Sequence, residues 1–297
     1  MINFHDQDGL IWYDGALLPW RDVKLHVLSH GLHYASCVFE GERVYDGRVF
    51  KVADHSQRLI DSAKWLGFKI PYSLAEIEKA TREAVAAGGH KDAYVRPVAW
   101  RGSEQMGVSA QQTKIHLAIA AWEWPSYFSP EARLKGIRLA WADWRRPPGS
   151  AAPVHAKAAG LYMICTLSKH TAEGAGFDDA LMLDWRGRVA ETTGANIFLV
   201  IDGVIHTPTP DCFLDGITRR SVMKLARARG YEIVERAIMP DELSKAAEIF
   251  VTGTAAEVTP VGQIDEMKFA VGPITRALMQ DYEKLVRRPE TAASSAA

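Results

Sequence analysis

The sequence predicts an α/β protein of two units, a smaller N-terminal α+β unit followed by a larger C-terminal α/β unit, and three observations carry that expectation. The chain has 297 residues, enough for two hydrophobic cores and short for three. Short apolar runs bounded by glycine turns alternate with helical stretches along nearly its whole length. Between the two halves, Glu123-Trp-Pro-Ser-Tyr-Phe-Ser-Pro130 breaks the pattern with aromatic residues and prolines, as a connector does. The expected division is therefore 1–122, a linking loop at 123–134, 135–289, and a short tail at 290–297.

The first unit opens with Leu10–Tyr13, an Asp14-Gly15 turn and a second strand toward Pro19. One strand is expected from about Ala35 to Tyr45, turning at Asp46-Gly47 into Arg48–Lys51. Asp54 suits the N-cap of a helix that ends near Gly67. Ser73-Leu-Ala-Glu76 has the spacing of a capping box, and Gly88-Gly89 marks the end of the helix it starts. Two apolar strands, Tyr94–Arg101 and Ile115–Trp122, complete the unit.

The second unit opens with strand Gly136–Trp144 and a Pro-rich loop, 145–153. A helix from about Ala158 to Glu173 is expected next. Strands follow near Ala180–Asp184, Ile197–Ile201 and Val204–Thr207. A helix from Ile217 is stopped by Gly230, and strands at Tyr231–Ala237 and Ile249–Thr252 come after it. The Ala-Ser tail after Pro289 has nothing to pack and reads as disordered.

Bulk properties narrow the function. Lys plus Arg (35) nearly balances Asp plus Glu (36), so no net field favours nucleic acid or an anionic membrane, and a small-molecule partner is the expectation. Residues 1–15 carry Asp6, Asp8 and Asp14 and lack the basic and apolar regions of a secretory signal. No apolar run reaches membrane-spanning length. Cys37, Cys165 and Cys212 lie far apart, which argues against a disulfide scaffold and fits a reducing cytosol.

Several segments could carry chemistry. Lys157 lies in Val154-His-Ala-Lys-Ala-Ala-Gly160, and its small neighbours would let a reactant approach the amine. Desolvation there would favour a nucleophile or proton carrier, although a lysine at a helix start pointing into water fits the same segment. Glu191 opens Glu-Thr-Thr-Gly-Ala-Asn196, a bend beside a sheet. A carboxylate so placed can face a pyridinium nitrogen, or simply water. Leu214-Asp-Gly216-Ile-Thr218 feeds a helix whose free amides suit an anion, and Thr252-Gly253-Thr254-Ala-Ala256 is a second small-residue turn; either could be only a tight turn. His26, His30 and His33 imitate metal spacing, but no carboxylate or cysteine nearby completes a set, so no metal is expected. Neither a Gly-x-Ser-x-Gly elbow nor a Gly-x-Gly-x-x-Gly turn occurs, which leaves serine hydrolases and hydride-transfer enzymes unsupported.

Taken in order, Arg58, Lys157, Tyr162, Glu191, Gly216-Ile-Thr218 and Gly253-Thr254 resemble the fold-type IV pyridoxal-phosphate enzymes over nearly the whole chain. His33-Tyr34, Val38-Phe-Glu-Gly41, Gln57-Arg58-Leu59, Ala93-Tyr-Val-Arg-Pro97, Asn196-Ile-Phe198, Gly216-Ile-Thr-Arg219 and Gly253-Thr-Ala-Ala-Glu257 resemble the branched-chain amino acid aminotransferases in particular. That resemblance implies pyridoxal 5'-phosphate between two domains, in a homodimer or larger homo-oligomer whose partner subunit closes the site. It implies a cytoplasmic enzyme of amino-acid biosynthesis that moves amino groups between leucine, isoleucine or valine and 2-oxoglutarate by a ping-pong mechanism.

By matching position, Lys157 would bond the cofactor and move the proton, Tyr162 would meet the ring oxygen and Glu191 the ring nitrogen. Arg58, Gly216, Ile217, Thr218, Gly253 and Thr254 would hold the phosphate. Tyr94, Thr254 and Ala255 would take the substrate α-carboxylate, and Arg96 the distal carboxylate of glutamate, with Tyr34, Val108 and Tyr127 nearby. Phe39, Tyr162, Met106 and Trp124 would form the apolar pocket, with Gly41 and Arg43 also matching the branched-chain pattern. Leu161 and Ser109-Ala110 depart from commoner residues and leave the preferred side chain open. The alternatives are a D-amino-acid or (R)-amine transaminase, an aminodeoxychorismate lyase, or a non-enzymatic binding module on the same fold. Arg101-Gly-Ser103 lacks the histidine of the Arg-x-His trap expected of the D-amino-acid type.

Overall fold

A computed structural model describes residues 3–124 and 130–288. The strands of the first half are β1 (Leu10–Tyr13), β2 (Ala16–Pro19), β3 (Cys37–Phe39), β4 (Glu42–Tyr45), β5 (Arg48–Val49), β6 (Ala93–Arg101) and β7 (Ile115–Glu123). Its helices are α1 (His30–Tyr34), α2 (Val52–Trp65) and α3 (Leu74–Gly88). The strands form an antiparallel sheet in the order β2-β1-β7-β6-β4-β5, with β3 also on β6. Its inward face, including Val44, Val95, Leu117 and Ile119, packs on Leu59 and Ala63 of α2 and Ile77, Ala80 and Ala84 of α3. Burial of this apolar set supplies most of the driving force for the half.

The second half holds α4 (Pro130–Lys135), β8 (Ile137–Trp141), α5 (Met163–Gly174), β9 (Asp179–Leu183), β10 (Val189–Thr192), β11 (Asn196–Ile201) and β12 (Val204–Pro208). It continues with α6 (Ile217–Ala228), β13 (Ile233–Arg236), β14 (Glu248–Gly253), β15 (Glu257–Ile264), β16 (Met267–Lys268) and α7 (Pro273–Arg287). The sheet runs β10-β9-β8-β15-β14-β11-β12-β13, and β10 pairs with β11 as well as β9, so six strands close on themselves. Side chains alternate accordingly: Ile197, Leu199, Ile249 and Val251 enter one core, while Phe198, Val200 and Phe250 enter another beneath α6 and α7. This scaffold brings the β10–β11 turn, the start of α6 and the end of β14 to one place.

Several local expectations change. The single strand from Ala35 to Tyr45 is broken at Glu40-Gly41, where Glu40 is fully buried against α2 and Gly41 lies under Tyr94. A Cβ at Gly41 would fall 1.9 Å from the Tyr94 hydroxyl oxygen. The N-cap of α2 is Lys51, in the left-handed region at φ 53°, and Asp54 sits in the first turn with an ion pair to Lys51. The helix expected from Ala158 begins instead as a 3-10 turn, Ala159–Tyr162, before α5. His30–Tyr34 forms a short helix, and α4, β10, β15, β16 and α7 likewise add elements beyond those expected. The Ser73–Glu76 capping box is formed in both directions. Tyr127 and the 290–297 tail lie outside the described residues.

Candidate active site

Lys157 follows buried Ala156 and precedes buried Ala158 in an extended loop that the first half of the chain holds by its backbone. Phe39 donates its amide to the Lys157 carbonyl at 3.1 Å, the Lys157 amide donates to Ser62 Oγ at 3.0 Å, and Val38 bridges to Ala158. The 3-10 turn then returns the chain so that Tyr162, five residues on, faces the lysine. Lys157 Nζ donates to Tyr162 Oη at 2.8 Å and stands 5.0 Å from the centre of the Phe39 ring. A half-buried amine held between two aromatic faces has few directions left to move.

Across the cleft, Glu191 lies on β10 rather than in a bend, directly opposite Asn196 in the hairpin with β11. Asn196 Nδ2 donates to Glu191 Oε2 at 3.3 Å and to the Leu214 carbonyl at 3.0 Å, tying the carboxylate to the turn before α6. Arg146 Nε lies 3.4 Å from Glu191 Oε1, with side-chain exposures of 5% and 13%. Burial pushes the Glu191 carboxyl up to about 7, against the opposing charges of Arg146 and Lys157 and helped by Asp179.

Another part of the cleft is built from α6 and α2. Gly216 is the N-cap of α6 and no side chain among the described residues caps its amides, so the N–H groups at the helix start are free to face a ligand. Glycine is required there by closeness, since a Cβ would fall 2.3 Å from Asn196 Oδ1. Arg58, from α2, donates Nε to Glu40 Oε1 at 2.6 Å and Nη2 to Glu40 Oε2 at 2.8 Å. His55 Nδ1 lies 2.7 Å from Glu40 Oε2. Burial would raise the Glu40 carboxyl, but Arg58 and then His55 hold it well below the ordinary carboxylate range. Burial lowers the pKa of His55, so a neutral ring donates from Nδ1 to that carboxylate.

Arg58, Lys157, Tyr162, Glu191, Gly216, Ile217, Thr218, Gly253 and Thr254 all line a single open cleft of about 600 Å³. The residues expected at the substrate are less concentrated. Phe39 packs edge-on to Tyr162 at 4.8 Å, and the Arg96 guanidinium lies 4.7 Å over Phe39 and 5.4 Å over Tyr94. Arg96 Nη2 donates to Tyr94 Oη at 3.4 Å, and Trp124 packs on Tyr94 at 5.3 Å. These form an aromatic wall beside the lysine but do not line the cleft itself, nor does Ala255, which follows Thr254. Tyr34, Met106 and Val108 are 45%, 45% and 87% exposed and lie outside the cleft. The histidines of the metal-like spacing make backbone contacts: His30 Nε2 lies 2.8 Å from the Gly107 carbonyl, His33 Nε2 2.8 Å from that of Val27, and His26 Nδ1 accepts from the Leu28 amide.

The amino-transferase class IV family profile matches residues 37–264, which holds every cleft residue named here. The chain belongs to the class IV aminotransferases. A branched-chain-amino-acid aminotransferase of Pseudomonas aeruginosa is 44% identical over 96% of this chain and 95% of its own length. The branched-chain amino acid aminotransferase of Escherichia coli, as a crystal structure, superimposes with a TM-score of 0.92 at 35% identity, covering 97% of this chain and 98% of that one. That of the thermophilic archaeon Thermoproteus uzoniensis, solved with norvaline, gives 0.90 at 39% identity, over 94% of both chains.

Two contributors to this class IV site, Arg146 and the Glu40–His55 pair, were not singled out by sequence. Arg146 stands in Arg145-Arg-Pro-Pro, where nothing distinguishes it from its neighbour, and the only signal for Glu40 was its place in Val38-Phe-Glu-Gly41. No helix of the described residues is long and apolar enough to cross a membrane.

Proposed function

We propose that the chain transfers an amino group between the branched-chain L-amino acids leucine, isoleucine and valine and 2-oxoglutarate, using pyridoxal 5'-phosphate in a ping-pong cycle. The carrying observation is the cleft itself, which gathers an amine hydrogen-bonded to a phenol, a largely buried carboxylate, an uncapped helix start and an arginine in one lining. Those donors fit an anionic, ring-nitrogen cofactor. Gly216 leaves room where a side chain would strike Asn196, and Thr252 Oγ1, which lines the cleft, is buried without a hydrogen-bond partner among the described residues. When bound, the cofactor supplies a carbonyl that captures amines and a ring that accepts electrons.

The chain's own residues do the rest. Arg58, the amides of Ile217 and Thr218, and Thr254 grip the phosphate, with Gly216 and Gly253 giving the backbone its close approach. Tyr162 Oη bonds the ring oxygen and orients Lys157. Lys157 Nζ anchors the group and moves the α-proton of the substrate. Glu191 accepts the ring N–H. Tyr94, Thr254 and Ala255 take the α-carboxylate, and Arg96, stacked on Phe39 and Tyr94, takes the distal carboxylate of glutamate. Phe39, Tyr162 and Trp124 exclude water around the branched side chain.

Two copies of the chain make the working unit, with Tyr34, Met106, Val108 and Tyr127 completing a neighbouring cleft. In support, Leu25, Val27, Leu28 and Leu32 extend the exposed apolar surface around Tyr34, an expanse that favours a protein partner. Residues 1–122 act as the small domain, 123–134 as the link and 135–289 as the large domain, in keeping with strands of one sheet ending at Glu123 and of the other beginning at Ile137. The cytoplasm is the proposed location, in line with three unpaired cysteines, and the partners are amino acids and 2-oxo acids rather than nucleic acid or membrane.

The test is spectroscopic. Protein loaded with pyridoxal 5'-phosphate should lose its visible absorbance on addition of L-leucine and regain it with 2-oxoglutarate. Faster bleaching by D-alanine, or none by L-leucine, would reassign the chain within class IV.

A further inference from the structure

Arg146 enters the cleft from the loop after β8, and its backbone is fixed as an extension of the sheet. Its amide donates to the Leu183 carbonyl at 2.8 Å, its carbonyl accepts from Trp185 at 3.1 Å, and the residue bridges to Asp184. The side chain is buried, with Nη1 donating to Cys165 Sγ at 3.5 Å. Its Nε has no hydrogen-bond partner among the described residues and points to within 3.4 Å of Glu191 Oε1. Oε2 of the same carboxylate is taken by Asn196. Glu191 thus has Asn196 hydrogen-bonded to one oxygen and the Arg146 guanidinium within ion-pair distance of the other, and all three side chains line the cleft.

A protonated carboxyl gives up acceptor capacity and gains a donor, so it cannot serve as counter-charge to a protonated ring nitrogen. Burial drives Glu191 toward that neutral form. We propose that Arg146 is a positioning residue that keeps Glu191 ionised and aimed into the cleft, acting on the cofactor ring only through that carboxylate. This rests on the cofactor reading above and extends it to a further residue of the cleft lining.

The charged groups facing Glu191 are Arg146 from the β8 loop, Lys157 from the lysine loop and Asp179 from β9. Tyr162, Cys165 and Cys212 also face Arg146. Of the two cations, Lys157 is committed to Tyr162 and to the reaction, so its charge varies through a catalytic cycle. Arg146 is permanently charged, which makes it the constant part of the field. Asp179 opposes it, but that carboxylate is partnered by Thr193 Oγ1 at 2.5 Å and lies 3.9 Å from Lys169.

The experiment is a carbon-13 carboxyl titration of cofactor-free protein, with the Glu191 signal assigned by its loss in Glu191→Gln, alongside pyridoxal 5'-phosphate affinity by equilibrium dialysis. In Arg146→Met the Glu191 midpoint should rise by at least about one pH unit, and affinity at pH 7 should fall about fivefold or more, because the ionised fraction at that pH drops from about a half to about a tenth. Arg146→Lys should recover most of both. In a Glu191→Gln background, Arg146→Met should cause no further loss of affinity.

An unchanged Glu191 midpoint in Arg146→Met, or equal affinity losses in both backgrounds, overturns the proposal. If that variant does not fold, the wild-type titration decides, because a Glu191 still protonated at about pH 8.5 is not being held ionised by Arg146. Failure of wild-type protein to bind pyridoxal 5'-phosphate would instead refute the cofactor reading, and the carboxyl titration would stand apart from it.

Discussion

A buried carboxyl whose proton is held too tightly should make the cofactor-free protein lose stability as pH rises, and Glu191 gives that effect a size. Its folded-state midpoint is pushed up from the ordinary 4.5 to about 7. Between those values the unfolded chain has released the proton while the folded chain keeps it. The unfolded state therefore binds fewer protons, and the free energy of unfolding falls with pH. At about 1.4 kcal/mol per pH unit the full interval corresponds to about 3 kcal/mol, present below pH 4.5 and lost once pH has passed through 7.

Glu191→Gln removes the titration and keeps the shape, while Arg146 stays charged throughout, so the difference between wild type and variant isolates this one group. Denaturant unfolding at about pH 5, 6, 7 and 8, followed by the fluorescence of the nine tryptophans, should show the wild type losing about 2.5 kcal/mol relative to the variant across the series, the first part of the loss lying below pH 5. A flat difference, or one that grows in favour of the wild type as pH rises, would mean that Glu191 is ionised at an ordinary pH and that the burial argument fails.

Three further outcomes are expected. Lys157→Ala should cut turnover by at least about 10²–10⁴-fold, the usual loss on removing a proton carrier, with near-normal transamination in coupled assays counting against its role. Glu40→Gln should weaken pyridoxal 5'-phosphate binding about tenfold, because Arg58 loses a charged bidentate partner, while the KM for L-leucine stays within about twofold; unchanged affinity by dialysis would detach Glu40 from the phosphate grip. Arg96→Ala should slow the glutamate half-reaction by about ten- to a hundredfold and the leucine half-reaction much less, a contact of roughly 1.5–3 kcal/mol being present only with the second carboxylate. Equal losses in single-turnover spectra would place Arg96 at the shared α-carboxylate.

What sequence made legible was local. The Ser73–Glu76 box, the Asp14-Gly15 and Asp46-Gly47 turns and the start of α6 at Ile217 depend on residues a few positions apart, and they appear where local chemistry puts them. The resemblance supplied the residues of the cleft, but not the contacts that hold them. Glu40 is buried in the break between β3 and β4 because of Arg58 and His55, 18 and 15 residues away. Arg146 is set by Glu191, 45 positions on, and no periodicity registers such a pair. Gly216 reads as a turn glycine by sequence, yet its φ of −62° is open to any residue, and what forbids a side chain is the Asn196 amide.

Those long-range contacts also show why the first half of the chain serves more than the substrate. Ser62 and Phe39 fix the backbone of Lys157, and one residue after Phe39 the chain buries Glu40, which clamps Arg58 in the lining of the same cleft. Ser62 and Arg58 are successive inward positions on the same helix, four residues apart. A single rigid unit, α2 with the end of β3, therefore sets the distance between the reacting amine and the anion grip, while the second half contributes the carboxylate and the helix start. Any shift of that helix must move both anchors together, which keeps their spacing constant.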